Sequence, residues 1–180
     1  NKPSVNVDQG PHTTVTCDLA TFYRKTSQVE LSGNVNVLSR DFELQAEKVR
    51  YNYSSERGRI SPAPREQVRF VYFKKSTQPD GKPVRVRLES QRITGVADEI
   101  LVDRSALKSV LQGNVHLIDH SDNSQFKSDR AELLFDQNEE IETIIASGNF
   151  SMTQPQRLSR ADRAVFEYET EKVTLIGNAY

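Results

Sequence analysis

The chain has 180 residues, a formal net charge of −1 and a single cysteine, and apolar residues make up 36% of it. This length suffices for one domain with a sizeable core, and no apolar run approaches the roughly 18 residues that a membrane-spanning helix needs. The lone Cys17 excludes an internal disulfide and a metal site built from several cysteines. A mean hydropathy of −0.64 favours half-buried strands of alternating polarity over long buried segments.

The segment 29–53 predicts amphipathic β-strands. Apolar residues alternate with polar ones on both sides of Gly33-Asn34, and the alternation continues to Tyr51 and Tyr53. The Gly-Asn pair predicts a turn between two strands. Because an isolated hairpin is marginally stable in water, further copies of the unit are expected elsewhere in the chain.

A short motif recurs along the sequence: a small residue, an acid and then apolar residues at alternate positions. Its copies start at Cys17, Ala46, Ala97, Ser128 and Ala161. A Gly-Asn pair follows all of them except the copy at Ala46, after which Pro62 and Pro64 interrupt the pattern. Short strands at such regular spacing, separated by turn residues, favour an antiparallel all-β architecture.

The middle of the chain is basic. Residues 57–92 carry 10 basic and 3 acidic side chains, whereas residues 93–180 carry 8 and 15. The basic side chains could contact the phosphates of a ligand, or they could lie on a solvated strand edge, where such residues discourage aggregation. Within this segment Asp80-Gly81 predicts a tight turn. We see no linker, so a single domain is expected over 1–180, with an N-terminal arm at 1–12.

The sequence offers little support for catalysis or metal binding. His116 and His120 are four residues apart in a predicted strand and its loop, so they would be about 13 Å apart and too distant to share a metal. Together with His12 they are expected to be solvated or loop residues. Asp119-His120-Ser121 lacks any nucleophile motif, and the recurring acid of the motif is expected to be a turn or edge residue. We therefore expect no enzyme activity, no cofactor and no metal.

Several segments together resemble the OstA/LptA-like proteins of lipopolysaccharide transport. They are LSGNVNV at 31–37, AEKV at 46–49, DGKPV at 80–84 and VLQGNVHL at 110–117. The resemblance implies an antiparallel, twisted β-jellyroll built from repeated hairpins, in which two sheets form a V around an apolar groove. Family members bind lipopolysaccharide acyl chains in that groove and associate edge to edge.

The resemblance also implies a compartment and partners. The expected location is the periplasm, and the expected ligand is lipopolysaccharide, bound through the acyl chains of lipid A. Expected protein partners are an inner-membrane LptC-like protein, an outer-membrane LptD-like protein and further copies of the same chain. The long basic segment leaves open whether the chain corresponds to the LptA-like bridge, to an LptC-like component or to the soluble domain of an LptD-like translocon.

Strand alternation and the resemblance together predict which residues line the groove. They are Val15, Phe22, Val35, Val37, Phe42, Leu44, Val49, Tyr51, Phe70, Tyr72, Val102, Leu133, Phe135, Phe166 and Tyr168. In a closed sandwich the same residues would simply form the core.

Two other functions are open at this point. One is an adaptor that binds proteins through its strand edges and carries no lipid. The other is nucleic-acid binding, since Phe70, Tyr72 and Phe73 are interleaved with basic residues, as in a base-stacking platform. The acidic C-terminal half and the pI near 6.4 argue against nucleic acid as a partner.

Overall fold

The computed structural model describes residues 4–5, 13–39, 41–74, 76–77, 83–84 and 89–180. Over these ranges the chain folds into antiparallel strands, numbered here in chain order: β1 (Ser4–Val5), β2 (Thr14–Thr16), β3 (Leu19–Tyr23), β4 (Gln28–Leu38), β5 (Phe42–Asn52), β6 (Arg57–Ser61), β7 (Val68–Phe73), β8 (Ser76–Thr77), β9 (Pro83–Val84), β10 (Arg92–Ala97), β11 (Glu99–Asp103), β12 (Lys108–Asp119), β13 (Ser124–Phe135), β14 (Ile141–Gln154), β15 (Arg157–Glu167) and β16 (Lys172–Ile176). The helices in this part of the chain are 3₁₀ turns at Arg24–Thr26 and Glu89–Gln91, and neither is long and apolar enough to cross a membrane.

The long strands are shared between two leaves of sheet. β5 pairs with β7 through 42–45 and with β6 through 48–52. β12 likewise pairs with β11 through 108–112 and with β10 through 116–119. The first leaf therefore contains β3, β6, β11 and β16, and the second leaf contains β1, β2, β7 and β10, while β4, β5 and β12 to β15 contribute one half to each leaf.

The leaves meet where Gly-Asn pairs lie inside the long strands. Gly33 and Asn34 have φ values of +74° and +48° within β4, and the register against β5 shifts between Ser32 and Val35, so that two residues face one. The same irregularity occurs at 113–114 of β12 and 148–149 of β14. These pairs are β-bulges. The prediction of a turn between two strands was wrong, because positive φ dihedrals suit a bulge as well as a hairpin turn.

The recurring acid of the motif binds the asparagine of each bulge and also that of the Gly177-Asn178 pair, which follows β16. Its carboxylate accepts a hydrogen bond from the side-chain amide of the asparagine, and the Nδ2–Oδ2 distances are 2.7 Å for Asn34–Asp18, 2.7 Å for Asn114–Asp98, 2.9 Å for Asn149–Asp129 and 3.1 Å for Asn178–Asp162. The glycine also makes room for the carboxylate, since a Cβ at Gly148 would lie 2.5 Å from Asp129 Oδ2. The acid is thus a structural residue of the corner.

The core lies between the inner faces of the two leaves. Its largest fully buried side chains are Phe150, Ile93, Leu111, Leu117, Ile144, Val35, Val68 and Val115. Phe126, in the second-leaf half of β13, stacks on Phe166, in the first-leaf half of β15, with ring centroids 4.9 Å apart. A smaller cluster around Cys17 and Leu31 fills the corner at the N-terminal end. The two inner faces are therefore in direct contact over the middle of the molecule.

Two strands of the basic middle segment, β6 and β7, are not edge strands. β6 pairs with β5 and β11, and β7 pairs with β5 and β10, so both strands have neighbours on each side. Arg57 forms an ion pair with Asp103 (2.8 Å) and Arg59 one with Glu99 (2.9 Å), across β6 and β11. The solvated-edge interpretation was wrong for these arginines, whose charges are matched on the neighbouring strand.

Other local expectations have mixed outcomes. β6 ends and β7 begins on either side of Pro62 and Pro64, as the sequence indicated. β8 pairs with β9, but the Asp80-Gly81 turn, expected to join residues 68–75 to residues 84–92, lies outside the described residues. In the expected N-terminal arm, Ser4–Val5 pairs with β2, and the remainder of 1–12 also lies outside them.

Replacing Gly148 by alanine is expected to lower the free energy of unfolding by about 1–3 kcal/mol, because a left-handed backbone disfavours a side chain and the new Cβ would collide with Asp129. Urea denaturation measures the loss. The matched control is the same change in an Asp129→Ala background, where the collision is absent and the additional loss should be smaller. An equal loss in both backgrounds would contradict the steric role of the carboxylate.

Candidate functional site

Strand pairing arranges the inner-facing side chains in rows that run across each leaf, because directly paired residues share a face. In the first leaf one row is Phe22, Val29, Tyr51, Gly58, Val102, Ser109, Leu133, Ile144, Phe166 and Val173. In the second leaf one row is Val15, Val37, Leu44, Phe70, Gly95, Leu117, Phe126, Met152 and Ser159. A further row, nearer the free ends of the second-leaf strands, is Phe42, Tyr72, Ile93, Asp119 and Ser124. We call the space between these inner faces the trough.

The residues predicted to line the groove lie on these inner faces, except Tyr168, which follows the end of β15 and packs against the core. Their exposure divides them into three groups. Val15, Val35, Leu44, Tyr72 and Leu133 are buried and belong to the packed core. Val37, Val49, Tyr51, Phe70, Val102, Phe135, Phe166 and Tyr168 are half-buried. Only Phe22 and Phe42 are exposed. The assignment of the whole set to a lipid-binding groove stays a prediction.

The trough is open at its N-terminal end. Phe22, on strand β3, is 57% exposed, and Phe42 is 37% exposed, although both project from inner faces. Val29 and Tyr51 lie beside Phe22 in the same row and are half-buried. We call these four residues the N-terminal opening. Aromatic surface left uncovered on an inward face is typical of a site that another apolar molecule covers.

A first polar contact closes the middle of the trough. The Tyr72 hydroxyl, in the second leaf, donates a hydrogen bond of 2.9 Å to Glu140 Oε2, in the loop that joins the first-leaf ends of β13 and β14. Burial and the Glu140 carboxylate raise the pKa of Tyr72 far above its ordinary value. The hydroxyl therefore stays protonated and remains the donor.

A second polar contact lies further along the same side. Lys74 Nζ binds the carboxylate of Asp119, which is only 6% exposed, and also reaches Ser121 Oγ at 3.1 Å. The same ammonium lies 5.1 Å from the ring centroid of Tyr168, just beyond the first-leaf end of β15. Burial alone would raise the pKa of Asp119, but the hydrogen bonds from Lys74 and Ser121 outweigh it and lower that pKa. Burial and the nearby carboxylates of Asp119 and Asp122 raise the pKa of Tyr168.

The outer surface of the second leaf carries a shallow depression of about 280 Å³, lined by side chains of β5, β7, β10 and β12. His116 is part of that lining, and its Nε2 is buried with no hydrogen-bond partner. Burial lowers the pKa of His116. The expectation that His116 is solvated was wrong, because its ring packs against the leaf. His120 follows β12 as a loop residue, as expected, and lies 3.0 Å from Thr94 Oγ1.

No group of three or more histidine, cysteine or acidic side chains able to hold a metal ion occurs in the part of the chain that the structure describes.

Sequence reasoning missed the residues that close the trough. Lys74 and Asp119 are 45 positions apart, and Tyr72 and Glu140 are 68 positions apart. No local pattern indicates contacts between such distant residues. Val29 could have been found from the sequence, because it begins the apolar alternation of segment 29–53. In the structure it lies directly opposite Phe22.

The fold defines an all-β protein of the antiparallel jellyroll type, in which repeated hairpins are shared between two facing leaves. Residues 96–180 match the model of the family described as LptA/(LptD N-terminal domain) LPS transport protein. The structure is similar to the crystal structure of LptH from Pseudomonas aeruginosa, the LptA homologous periplasmic component of the conserved lipopolysaccharide transport device. That match has a TM-score of 0.57 and 14% identity, and it covers 80% of this chain and 96% of LptH. No curated protein sequence matches the chain.

The family match over residues 96–180 confirms the resemblance to the OstA/LptA-like family in this part of the chain. The family match covers the motif copies at Ala97, Ser128 and Ala161, and the likeness to LptH shows the fold. The predicted all-β jellyroll is confirmed.

The Asp119 contact predicts a dependence of stability on pH. Because the pKa of Asp119 is lower in the folded protein than its ordinary value of 3.8, its stabilising contribution is complete above that value and is lost as the pH falls through the folded pKa. At neutral pH Asp119→Asn should cost about 1–3 kcal/mol, since the Lys74 ammonium loses its charged acceptor. Denaturant unfolding at several pH values should show the gap between wild type and variant closing below about pH 4.

The control is Asp122→Asn, at a carboxylate that accepts a backbone hydrogen bond from Ser124 which an asparagine oxygen can also accept. It should leave the acid dependence of the wild type intact. A gap at Asp119 that stays constant down to the lowest pH would contradict the contribution of its charge.

Proposed function

We propose that this chain is a single-domain periplasmic carrier of lipopolysaccharide, which holds acyl chains against the inner faces of the trough. The family match supports transport rather than catalysis. The observation that carries the proposal is the N-terminal opening, where Phe22 and Phe42 remain exposed on the inner faces. Acyl chains need only a continuous apolar surface, because each buried methylene contributes about 0.8 kcal/mol.

In this proposal the acyl chains enter at the N-terminal opening and the polar headgroup stays outside. Phe22, Val29 and Tyr51 form a continuous apolar row on one side, and Phe42 contributes from the other leaf. Contact with aromatic rings needs no specific hydrogen bond, so acyl chains of different length can bind and leave without any covalent step. Such undirected binding suits a carrier that must also release its ligand.

Partners are proposed to dock on the outermost strands. Among the described strands, β3 and β16 each pair on one side only, with β4 and β15. Their free backbone groups can extend the sheet with a strand of another protein. We propose LptC-like and LptD-like proteins, or further copies of this chain, as those partners, so that lipid passes between adjoining troughs.

The alternatives have less support. Tyr72 and Phe73 are each 8% exposed, so they cannot stack on nucleic-acid bases as a platform would. Arg57 and Arg59 are already paired with carboxylates. A lipid-free adaptor would use the same strand edges, so edge association does not distinguish it from a carrier. Lipid binding does.

The test replaces exposed aromatic residues of the opening by glutamate. Phe22→Glu and Phe42→Glu should each weaken binding of purified lipopolysaccharide at least about tenfold, since a buried aromatic contact is worth about 1.5–3 kcal/mol and a charge opposes apolar burial. Native mass spectrometry and titration with fluorescent lipopolysaccharide measure the effect. Circular dichroism should stay unchanged, because both side chains are exposed.

The matched control is Tyr23→Glu. Tyr23 adjoins Phe22, is 47% exposed and projects from the opposite face of β3. It should leave binding unchanged. Wild-type protein that binds no lipopolysaccharide would instead favour the adaptor, and affinity for single-stranded nucleic acid that falls steeply with salt would favour the third alternative.

A further inference from the structure

The loop between β13 and β14, residues 136–140, lies across the side of the trough away from the bulged corner. It connects strand ends of the first leaf, yet it contacts Tyr72 of the second leaf. We propose that this loop, which we call the strap, is a releasable closure that separates the N-terminal opening from the middle of the trough. The proposal builds on the acyl-chain carrier proposed above and assigns its regulation to named residues.

The strap is held in one conformation by its own hydrogen bonds. The Asp136 carboxylate accepts bonds from the backbone N–H groups of Asn138 and Glu140, both at 2.8 Å. The Asp136 N–H donates to the Glu140 carbonyl at 2.8 Å, and Glu139 is held at a φ of +63°. A loop fixed in this way keeps its shape when its outward contacts break, so it can move as a unit.

Two side chains of the strap make the closing contacts. Glu140 accepts the hydrogen bond from Tyr72, which lies beside Phe42 in the same row of the second leaf. Glu139 Oε1 pairs with Arg104 Nη2 at 2.7 Å. Arg104 lies just beyond β11, and its backbone N–H donates to the carbonyl of Glu56 in the loop between β5 and β6. The strap therefore connects the second leaf to the part of the first leaf that borders the opening.

The Arg104–Glu139 contact can break at little cost to the fold, whereas the Tyr72–Glu140 hydrogen bond, made by a tyrosine that is 8% exposed, is the contact that holds the strap. The side chains of Arg104 and Glu139 are 49% and 60% exposed, and an ion pair this exposed contributes little to stability. The core that stabilises the two leaves is apolar and lies deeper, at the Phe126–Phe166 stack. Release of the strap therefore uncovers the middle of the trough before the leaves separate.

The chain contains its own reporter for this opening. Met152 is the only methionine, is 5% exposed and lies beside Phe126 in the inner row of the second leaf. Thioether oxidation by hydrogen peroxide requires access of the oxidant, so its rate at Met152 measures how often the middle of the trough opens. Peptide mapping by mass spectrometry separates oxidation at Met152 from oxidation at Cys17.

The experiment compares Tyr72→Phe and Glu140→Ala with wild type. Each should oxidise at Met152 several-fold faster, and the double variant should match the single variants because all of them lose the Tyr72–Glu140 hydrogen bond. Tyr23→Phe, an exposed tyrosine on an outward face, should oxidise at the wild-type rate. Unchanged thermal melting would show that the faster oxidation reflects local opening.

A cross-link between the strap and the second leaf should have the opposite effect, because it prevents the strap from opening. Tyr72→Cys and Glu140→Cys in a Cys17→Ser background, joined by a short bifunctional maleimide, should oxidise at Met152 more slowly than the same protein left unjoined. Equal oxidation rates in the cross-linked, uncross-linked and wild-type proteins would contradict the proposal that the strap is a releasable closure.

Binding of fluorescent fatty acids separates this proposal from the carrier function. Tyr72→Phe and Glu140→Ala should each gain more affinity for a 16-carbon acid than for an 8-carbon acid. Cross-linking of the strap should reduce binding of the longer acid. Faster oxidation of the variants without any acyl binding would support the proposed closure by the strap and contradict the proposed carrier function. Acyl binding with equal oxidation rates in every form would support the carrier function and contradict closure by the strap.

Discussion

The two-leaf architecture depends on the bulged corner of aspartate, glycine and asparagine. A single strand can serve both leaves only if it changes direction without losing its pairing, and two consecutive residues with positive φ provide that change. The carboxylate satisfies the asparagine amide where the regular ladder is interrupted. Because corners of this kind recur along the chain, the bends stack and both leaves keep their inner faces opposed.

The corner also explains why apolar side chains point into the trough on both sides of the bend. On β13, Phe126 and Ser128 are buried on one side of the corner, and Ala131 and Leu133 on the other, so the step across it is three residues instead of two. In a flat strand that step would move the apolar residues to opposite faces. Here the change of direction returns them to the trough, and the small residues at the corner let the leaves approach closely.

Stability and the proposed acyl-chain site place opposite demands on the same inner faces. Packing of Phe126, Phe150 and Phe166 fills the middle and contributes to the hydrophobic stabilisation. A site for acyl chains must instead leave apolar surface uncovered, and Phe22 and Phe42 do so at the N-terminal end. Polar contacts such as Tyr72–Glu140 hold the leaves together at their margin without adding further apolar packing. The molecule thus separates a packed centre from an open end.

The sequence by itself determined the all-β class, the recurring unit and the inward face of the candidate residues on strands, because strand alternation is a local property with a period of two. It could not distinguish the bulge at Gly33-Asn34 from a hairpin turn, since both use the same backbone dihedrals. Only the tertiary structure decided that Leu133 is core while Phe22 is exposed, and that Glu140 meets Tyr72. Those outcomes depend on how closely the two leaves approach, which is a property of the whole chain and of no single segment.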